Sequence, residues 1–207
     1  MVDVSGSESF GTHEQFKRDV ITEISATLAF SAIQNNDKVG LLLFSDEIEL
    51  FIPPKKGKTH VLRIIRELLE FEPGSRRTDF RQALRYMSNV MKKKAIVFVL
   101  SDFVDEGYDN ALKIVGKKHD VTGIRVYDRY EEELPKLGMV PMKDAETGEI
   151  VLVNTNSKEV RKNYRANYLK TVDYFDNAFT KSGSGTIHTR LDESYVKKLL
   201  SYFKRRN

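Results

Sequence analysis

At 207 residues, 40% of them hydrophobic and 31% charged, the chain is long enough to bury a sizeable core and too apolar to be disordered or of low complexity. It contains neither cysteine nor tryptophan, which excludes disulfide scaffolds, thiolate zinc sites, iron–sulfur clusters and cysteine nucleophiles, so a metal would have to sit on oxygen or on histidine. The net charge of +4 is uneven: residues 154–207 carry +7 and residues 1–153 carry −3. The basic residues of the tail are spread over two helix-like stretches without a Gly/aromatic binding signature, so they read as a solvated face and no nucleic-acid partner is expected.

Asp3-Val4-Ser5-Gly6-Ser7 stands at the head of the chain, after what remains of a first strand. Phe16, Val20, Ile24 and Leu28, widened by Ile21 and Ala32, then recur at helical spacing as far as Asn35-Asn36-Asp37. The continuous apolar run Val39–Phe44 predicts a strand covered on both faces. After Ser45-Asp46, the alternation of Ile48, Leu50 and Ile52 predicts an antiparallel edge strand that folds back on its predecessor and stops at Pro53-Pro54. Val61, Leu62, Ile65, Leu68 and Leu69 mark a second helix. Phe80, Leu84, Met87 and Met91 mark a third, with Pro73-Gly74-Ser75 as the break before it and Lys92-Lys93-Lys94 at the negative end of its dipole. Ala95–Leu100 is the strongest strand, followed by Ser101-Asp102, a helix through Ala111, Leu112 and Val115, and a strand from Val121 to Val126.

Glu131-Glu132-Glu133-Leu134-Pro135 reads as a solvated helix end halted by proline. Met139–Pro141 and Ile150–Val153 flank the turn-like segment Asp144–Glu149 and predict a small hairpin insertion. Tyr164, Tyr168, Phe175 and Phe179 mark a long helix with an aromatic core stripe, a short strand falls near Thr186–Thr189, and Val196, Leu199, Leu200 and Phe203 mark the last helix. Alternating apolar strands and amphipathic helices predict one α/β domain over residues 1–207, a three-layer, doubly wound, mostly parallel sheet with an antiparallel edge strand. Only Met1-Val2 precede Asp3, where such a sheet should have a full strand, so the native product is expected to extend upstream. The apolar runs fall far short of the roughly 18 residues of a membrane span, no secretion signal is present in this piece, and a cytoplasmic location is expected.

In an open α/β sheet the ligand crevice lies beyond the carboxyl ends of the strands. Asp3, Ser5 and Ser7, then Thr78 within Arg77-Thr78-Asp79, then Asp102 after the strongest strand, are the oxygen donors expected there. Two carboxylates with three hydroxyls suit a hard divalent cation. His13, His60, His119 and His188 stand alone and read as packed or hydrogen-bonded residues, since no second histidine lies at chelating spacing.

The order Asp-x-Ser-x-Ser, Thr, Asp resembles the metal-ion-dependent adhesion site of von Willebrand factor A domains. More narrowly, Phe10-Gly11-Thr12, Asn36-Asp37-Lys38-Val39-Gly40, Arg77-Thr78-Asp79, Leu100-Ser101-Asp102-Phe103, Lys118-His119-Asp120-Val121 and Glu133-Leu134-Pro135 look like domain-of-unknown-function family 58, a likeness that covers essentially the whole chain. The resemblance implies a von Willebrand factor A or Rossmann-like fold. It also implies Mg²⁺ (or Mn²⁺ or Ca²⁺) bound directly by Ser5, Ser7 and Thr78 and through water by Asp3 and Asp102. The free position would take a carboxylate from a protein partner, such as a MoxR-type AAA+ ATPase or its client, with no catalysis. Glu8, where many A-type domains have Met, and Arg77 would form the rim, although simple pairing of Arg76 and Arg77 with Asp105 or Glu106 is the reading preferred for those arginines. A vestigial metal site is one alternative. A haloacid-dehalogenase-type phosphatase is another, because Asp3, Thr78, Lys94 and Asp102 with Asp105 occur in that order; against it, the position of the required second carboxylate is Ser5.

Overall fold

Val39–Phe44 is a strand throughout because both of its faces are covered: Leu41 and Leu43 enter one core and Leu42 and Phe44 the other. A computed structural model describes residues 1–6, 17–143 and 149–206. In chain order the elements are β1 (Val2–Asp3), α1 (Lys17–Gln34), β2 (Val39–Phe44), β3 (Ile48–Lys55), α2 (Lys58–Glu70), α3 (Phe80–Val90), β4 (Ile96–Ser101), α4 (Asp109–Lys118), β5 (Asp120–Tyr127), α5 (Arg129–Glu132), β6 (Met139–Lys143), β7 (Ile150–Asn154), α6 (Lys158–Lys181), β8 (Gly185–Arg190) and α7 (Tyr195–Arg206).

The main sheet runs β3-β2-β1-β4-β5-β8, parallel throughout except for β3. Helices α3, α4 and α6 cover one face through Phe80, Leu84, Leu112, Phe175 and Phe179. Helices α1, α2 and α7 cover the other through Val20, Ile24, Ile64, Leu68, Leu199 and Tyr202. The chain winds from β1 out to β3 and resumes at β4 on the other side of β1, so the strand order reverses between β1 and β4. That reversal splays the connections apart and opens the crevice at the carboxyl ends of these two strands. The predicted hairpin is the separate pair β6–β7; its turn, residues 144–148, lies outside the described residues.

Several local expectations are corrected. Strand β3 does not stop at Pro53-Pro54 but continues through them to Lys55, which an edge strand tolerates because a missing donor there breaks little of the ladder. Opposite them, Gly40 leaves space that a side chain would fill, since a Cβ there would lie 3.0 Å from the Pro54 ring. Leu62 and Leu69 of α2 and Val196 and Leu200 of α7 are exposed; the buried residues are Val61, Ile64 and Leu68 in α2 and Leu199 and Tyr202 in the last helix. Both helices carry more apolar residues than one face can hold, so the tertiary contact decides which are covered. Lys92-Lys93-Lys94 lie exposed beyond α3, whose last carbonyls are met instead by Lys118, its ammonium donating to Ser88 O and Met91 O.

Helix α6 seats Phe175 and Phe179 directly on β5 at Gly123, where a Cβ would come within 2.7 Å of both rings. Gly123→Ala should therefore overpack this interface and cost about 1–3 kcal/mol, read as a lower denaturant midpoint with an unchanged slope. An unshifted midpoint would show that α6 is not pinned to β5 here.

Candidate metal centre

Strand β1 ends on Asp3, and the register Val2↔Leu100 sets Asp3 beside Ser101 at the end of β4. The Ser101 hydroxyl donates to Asp3 Oδ2 at 2.7 Å and accepts the Phe103 N–H at 3.0 Å, while the Ser5 N–H donates to Asp3 Oδ1 at 3.0 Å. Asp3 is buried, and that burial, reinforced by the neighbouring Asp102 carboxylate, pushes its pKa up to about 6 against the opposing hydrogen bonds from Ser101 and Ser5. Two carboxylates thus close the ends of adjacent strands. After Asp102 the chain bends sharply, with Phe103 at φ 55°, a left-handed conformation held because its ring is locked against Phe80, Phe175 and Phe179.

The Thr78 loop reaches this crevice because it is fastened from several sides. Glu49 Oε1 accepts the Ser45 hydroxyl at 2.7 Å, the Gly74 N–H at 3.1 Å and the Ser75 N–H at 3.3 Å. The Asp79 N–H donates to Ser45 O and the Gly6 N–H to Arg76 O, each at 3.0 Å, which ties the loop to the turn that carries Ser5. Ser5 is buried; Thr78 is half-buried, and its hydroxyl makes no hydrogen bond among the described residues. Asp3, Ser5, Thr78 and Asp102 are therefore brought to one end of the sheet. Ser7 and Glu8 lie outside the described residues.

Arg77 is exposed, and the expected pairing does not form: among the described residues neither Arg76 nor Arg77 joins Asp105 or Glu106 in an ion pair. Asp105 turns inward instead and accepts the Phe80 N–H at 2.8 Å, capping the first turn of α3. Lys94 lies exposed at the amino end of β4, the opposite end of that strand from Asp102. His119 is buried and its Nδ1 accepts the Ala95 N–H at 3.2 Å, a structural role as expected.

Two charged residues that the sequence reading left out belong to the centre. Lys17, the first residue of α1, is only 1% exposed, and its ammonium donates to Asp102 Oδ2 at 2.9 Å and lies 3.1 Å from Glu131 Oε1. Glu131 also accepts the Asp128 N–H at 3.1 Å as part of a capping box on α5, and burial pushes its pKa up while Lys17 pulls it down. A signal for Lys17 was present, since it stands at helical spacing from Val20, Ile21 and Ile24 and so shares the buried face of α1. Behind Asp102, Arg125 is fully buried, its Nε donating to Asp102 O at 3.1 Å and its guanidinium 4.6 Å and 4.8 Å from the Tyr127 and Tyr168 ring centres.

These oxygen donors fit a hard divalent cation in kind: two neutral hydroxyls, that of Thr78 without a partner among the described residues, and two buried carboxylates that repel each other. Among the described residues no group of three or more His, Asp or Glu side chains stands in a metal-holding arrangement.

The family model of a protein of unknown function, DUF58, matches residues 1–173. The chain belongs to the DUF58 family. Uncharacterized proteins of Mycobacterium bovis and Mycobacterium tuberculosis (Rv1480) are each 26% identical to this DUF58 chain over 151 residues, 72% of it and 48% of theirs. The chain thus spans about half the length of these curated relatives. An uncharacterized protein of Mycobacterium avium is 22% identical over 165 residues, 75% of this chain and 93% of its own. Among solved structures, the conserved hypothetical protein BatB of Bacteroides thetaiotaomicron superposes with a TM-score of 0.58 at 14% identity, over 96% of this chain and 91% of that one. An aerotolerance-related membrane protein of Bacteroides fragilis superposes with a TM-score of 0.61 at 16% identity, over 96% and 92%. At such identities the likeness is one of fold, which the DUF58 chain shares as a mixed, mostly parallel sheet flanked by helices. Among the described residues no helix is long and apolar enough to cross a membrane.

Proposed function

We propose that this DUF58 chain is a non-catalytic, Mg²⁺-dependent protein-binding module of von Willebrand factor A type, which captures an acidic group of a partner through an adhesion-type ion site. The observation that carries the reading is the convergence of Asp3 and Asp102 at the ends of neighbouring parallel strands, with the Thr78 loop tied to the Ser5–Gly6 turn. In this reading Ser5, Ser7 and Thr78 hold the ion directly and Asp3 and Asp102 hold it through water, with Mn²⁺ or Ca²⁺ as possible substitutes. The bound ion supplies an electrophilic position for a partner carboxylate, because neutral hydroxyls leave most of its charge uncompensated. Arg77, and Glu8 in the sequence, would line the rim. The partner class is a MoxR-type AAA+ ATPase or its client in protein assembly, and the location is cytoplasmic.

The experiment is a pull-down from native lysate with and without divalent ions. Ser5→Ala combined with Thr78→Val should abolish the Mg²⁺-dependent catch while leaving the circular dichroism spectrum unchanged. Equal capture by the double variant, or by the wild-type chain in chelator, would sink the adhesion-site reading. The lysine of the phosphatase alternative, Lys94, lies at the far end of β4 from Asp102, which speaks against that reading, and no turnover of an aryl phosphate is expected. A second reading, the vestigial site, is favoured by the Lys17 ammonium on Asp102, the position a cation would serve. Calorimetric titration of Mg²⁺ and Mn²⁺ into the Lys17→Met chain separates the two, since a vestigial site stays empty even without the ammonium.

A further inference from the structure

Lys17 is a charged residue on the buried face of α1, enclosed by carboxylates from two other elements, Asp102 after β4 and Glu131 in α5. A buried ammonium is stable only where it is paired and hydrogen-bonded, and here Asp102 and Glu131 both accept its protons. One of the two, Asp102, is also the strand-end carboxylate assigned to the ion. An ammonium hydrogen-bonded to Asp102 and a divalent ion held by the same carboxylate through water would share one negative charge, and the two cations would repel each other in so dry a place. The two cations therefore compete.

We propose that Lys17 is the resident counter-cation of the centre: its ammonium holds Asp102 and Glu131 in the metal-free protein, and a divalent ion binds at Asp102 only by displacing it. The proposal rests on the adhesion-site reading and deepens it, because it makes Lys17 the residue that sets ion affinity. It also names Glu131, held in the α5 capping box, as a further carboxylate bordering the site that loses its counter-ion when the ammonium withdraws. A partner that supplies the last ligand would thereby tip an exchange between two cations, and the ion would bind firmly only when the partner arrives.

The test is Mn²⁺ titration, followed by the loss of the free-ion paramagnetic resonance signal and by calorimetry. It compares the wild-type chain, Lys17→Met, Lys17→Met with Glu131→Gln, and Lys17→Met with Ser5→Ala and Thr78→Val. The Glu131 double variant removes one cation and one carboxylate together, so it stays near charge balance if Lys17→Met alone folds poorly. Removing Lys17 should tighten Mn²⁺ binding by about tenfold to a hundredfold, the range in which groups bordering a metal site act, and the hydroxyl substitutions should cancel the gain. Tight binding by the lysine variants where the wild type binds weakly or not at all supports the competition. Equal affinity in the wild-type chain and both lysine variants overturns the role of Lys17 and leaves the adhesion-site reading standing. Failure of every variant to bind Mn²⁺ brings down that reading and the competition with it.

Discussion

Asp102→Ala should lower the stability of the metal-free protein by about 3 kcal/mol in chemical denaturation, although no apolar contact of the core is removed. The substitution leaves the Lys17 ammonium buried without its nearest carboxylate oxygen, at 2.9 Å, and removes the acceptor of the Val104 N–H. Breaking a buried ion pair from one side is costly because the remaining charge has already lost its water. Glu131 stays on Lys17, and Asp3 loses a like-charged neighbour, which together hold the cost near the lower end of the usual range. Asp102→Asn, which keeps an acceptor for Val104, should recover part of the loss. A fall of under about 1 kcal/mol for Asp102→Ala would mean that Lys17 escapes to solvent and that the centre is not a closed network.

Asp3→Asn should have the opposite effect at neutral pH, stabilising the metal-free chain by about 3 kcal/mol, and this gain should vanish in acid. The sign follows from the raised pKa of Asp3, about 6 in the folded protein against an ordinary 3.8. Below pH 3.8 both states hold the proton, and whatever the neutral carboxyl contributes to folding is fully present. As pH rises from 3.8 to 6 the unfolded chain releases its proton while the folded chain keeps it, so stability falls, and above 6 the loss is complete. An asparagine has no proton to release. Unfolding free energies of the two chains, measured in chelator from pH 4 to pH 7, should therefore diverge as pH rises, and parallel curves would show that Asp3 is not held in a proton-retaining environment. In the adhesion-site reading, Mg²⁺ should flatten the wild-type curve, since a bound cation favours the ionised carboxylate.

Much of this architecture was legible from the apolar runs alone. Val39–Phe44 and Ala95–Leu100 announced strands, the second covered only from Val97 onward because Ile96 is exposed, and the polar residues after them marked the crevice, because period and run length are properties of the local chain. The exposed Leu62 and Leu200 show where that logic ends: a helix with surplus apolar residues does not declare which of them its neighbour will cover. The candidate site divides in the same way. Asp3, Ser5 and Asp102 could be found by their positions after strands, whereas Thr78 lies in the loop between α2 and α3 and was legible only through its place in the motif order. Glu131 could not be found, since a run of three glutamates before Leu134-Pro135 looks solvated until α1 is packed over it and brings Lys17. Glu49, which fastens the Thr78 loop, sat in the polar phase of an edge strand, where its long-range contacts left no local trace.

The two prolines inside β3 bear on how the molecule meets copies of itself. The register of β3 against β2 slips by one residue between Ile52 and Lys55, so Pro53 and Pro54 sit at an irregularity of the ladder where neither has an N–H to offer. An approaching extended chain would meet a gap in the row of N–H groups on which intermolecular strand pairing depends. The β3 border of the sheet is thus guarded against templated, fibre-like growth by the chemistry of two adjacent rings.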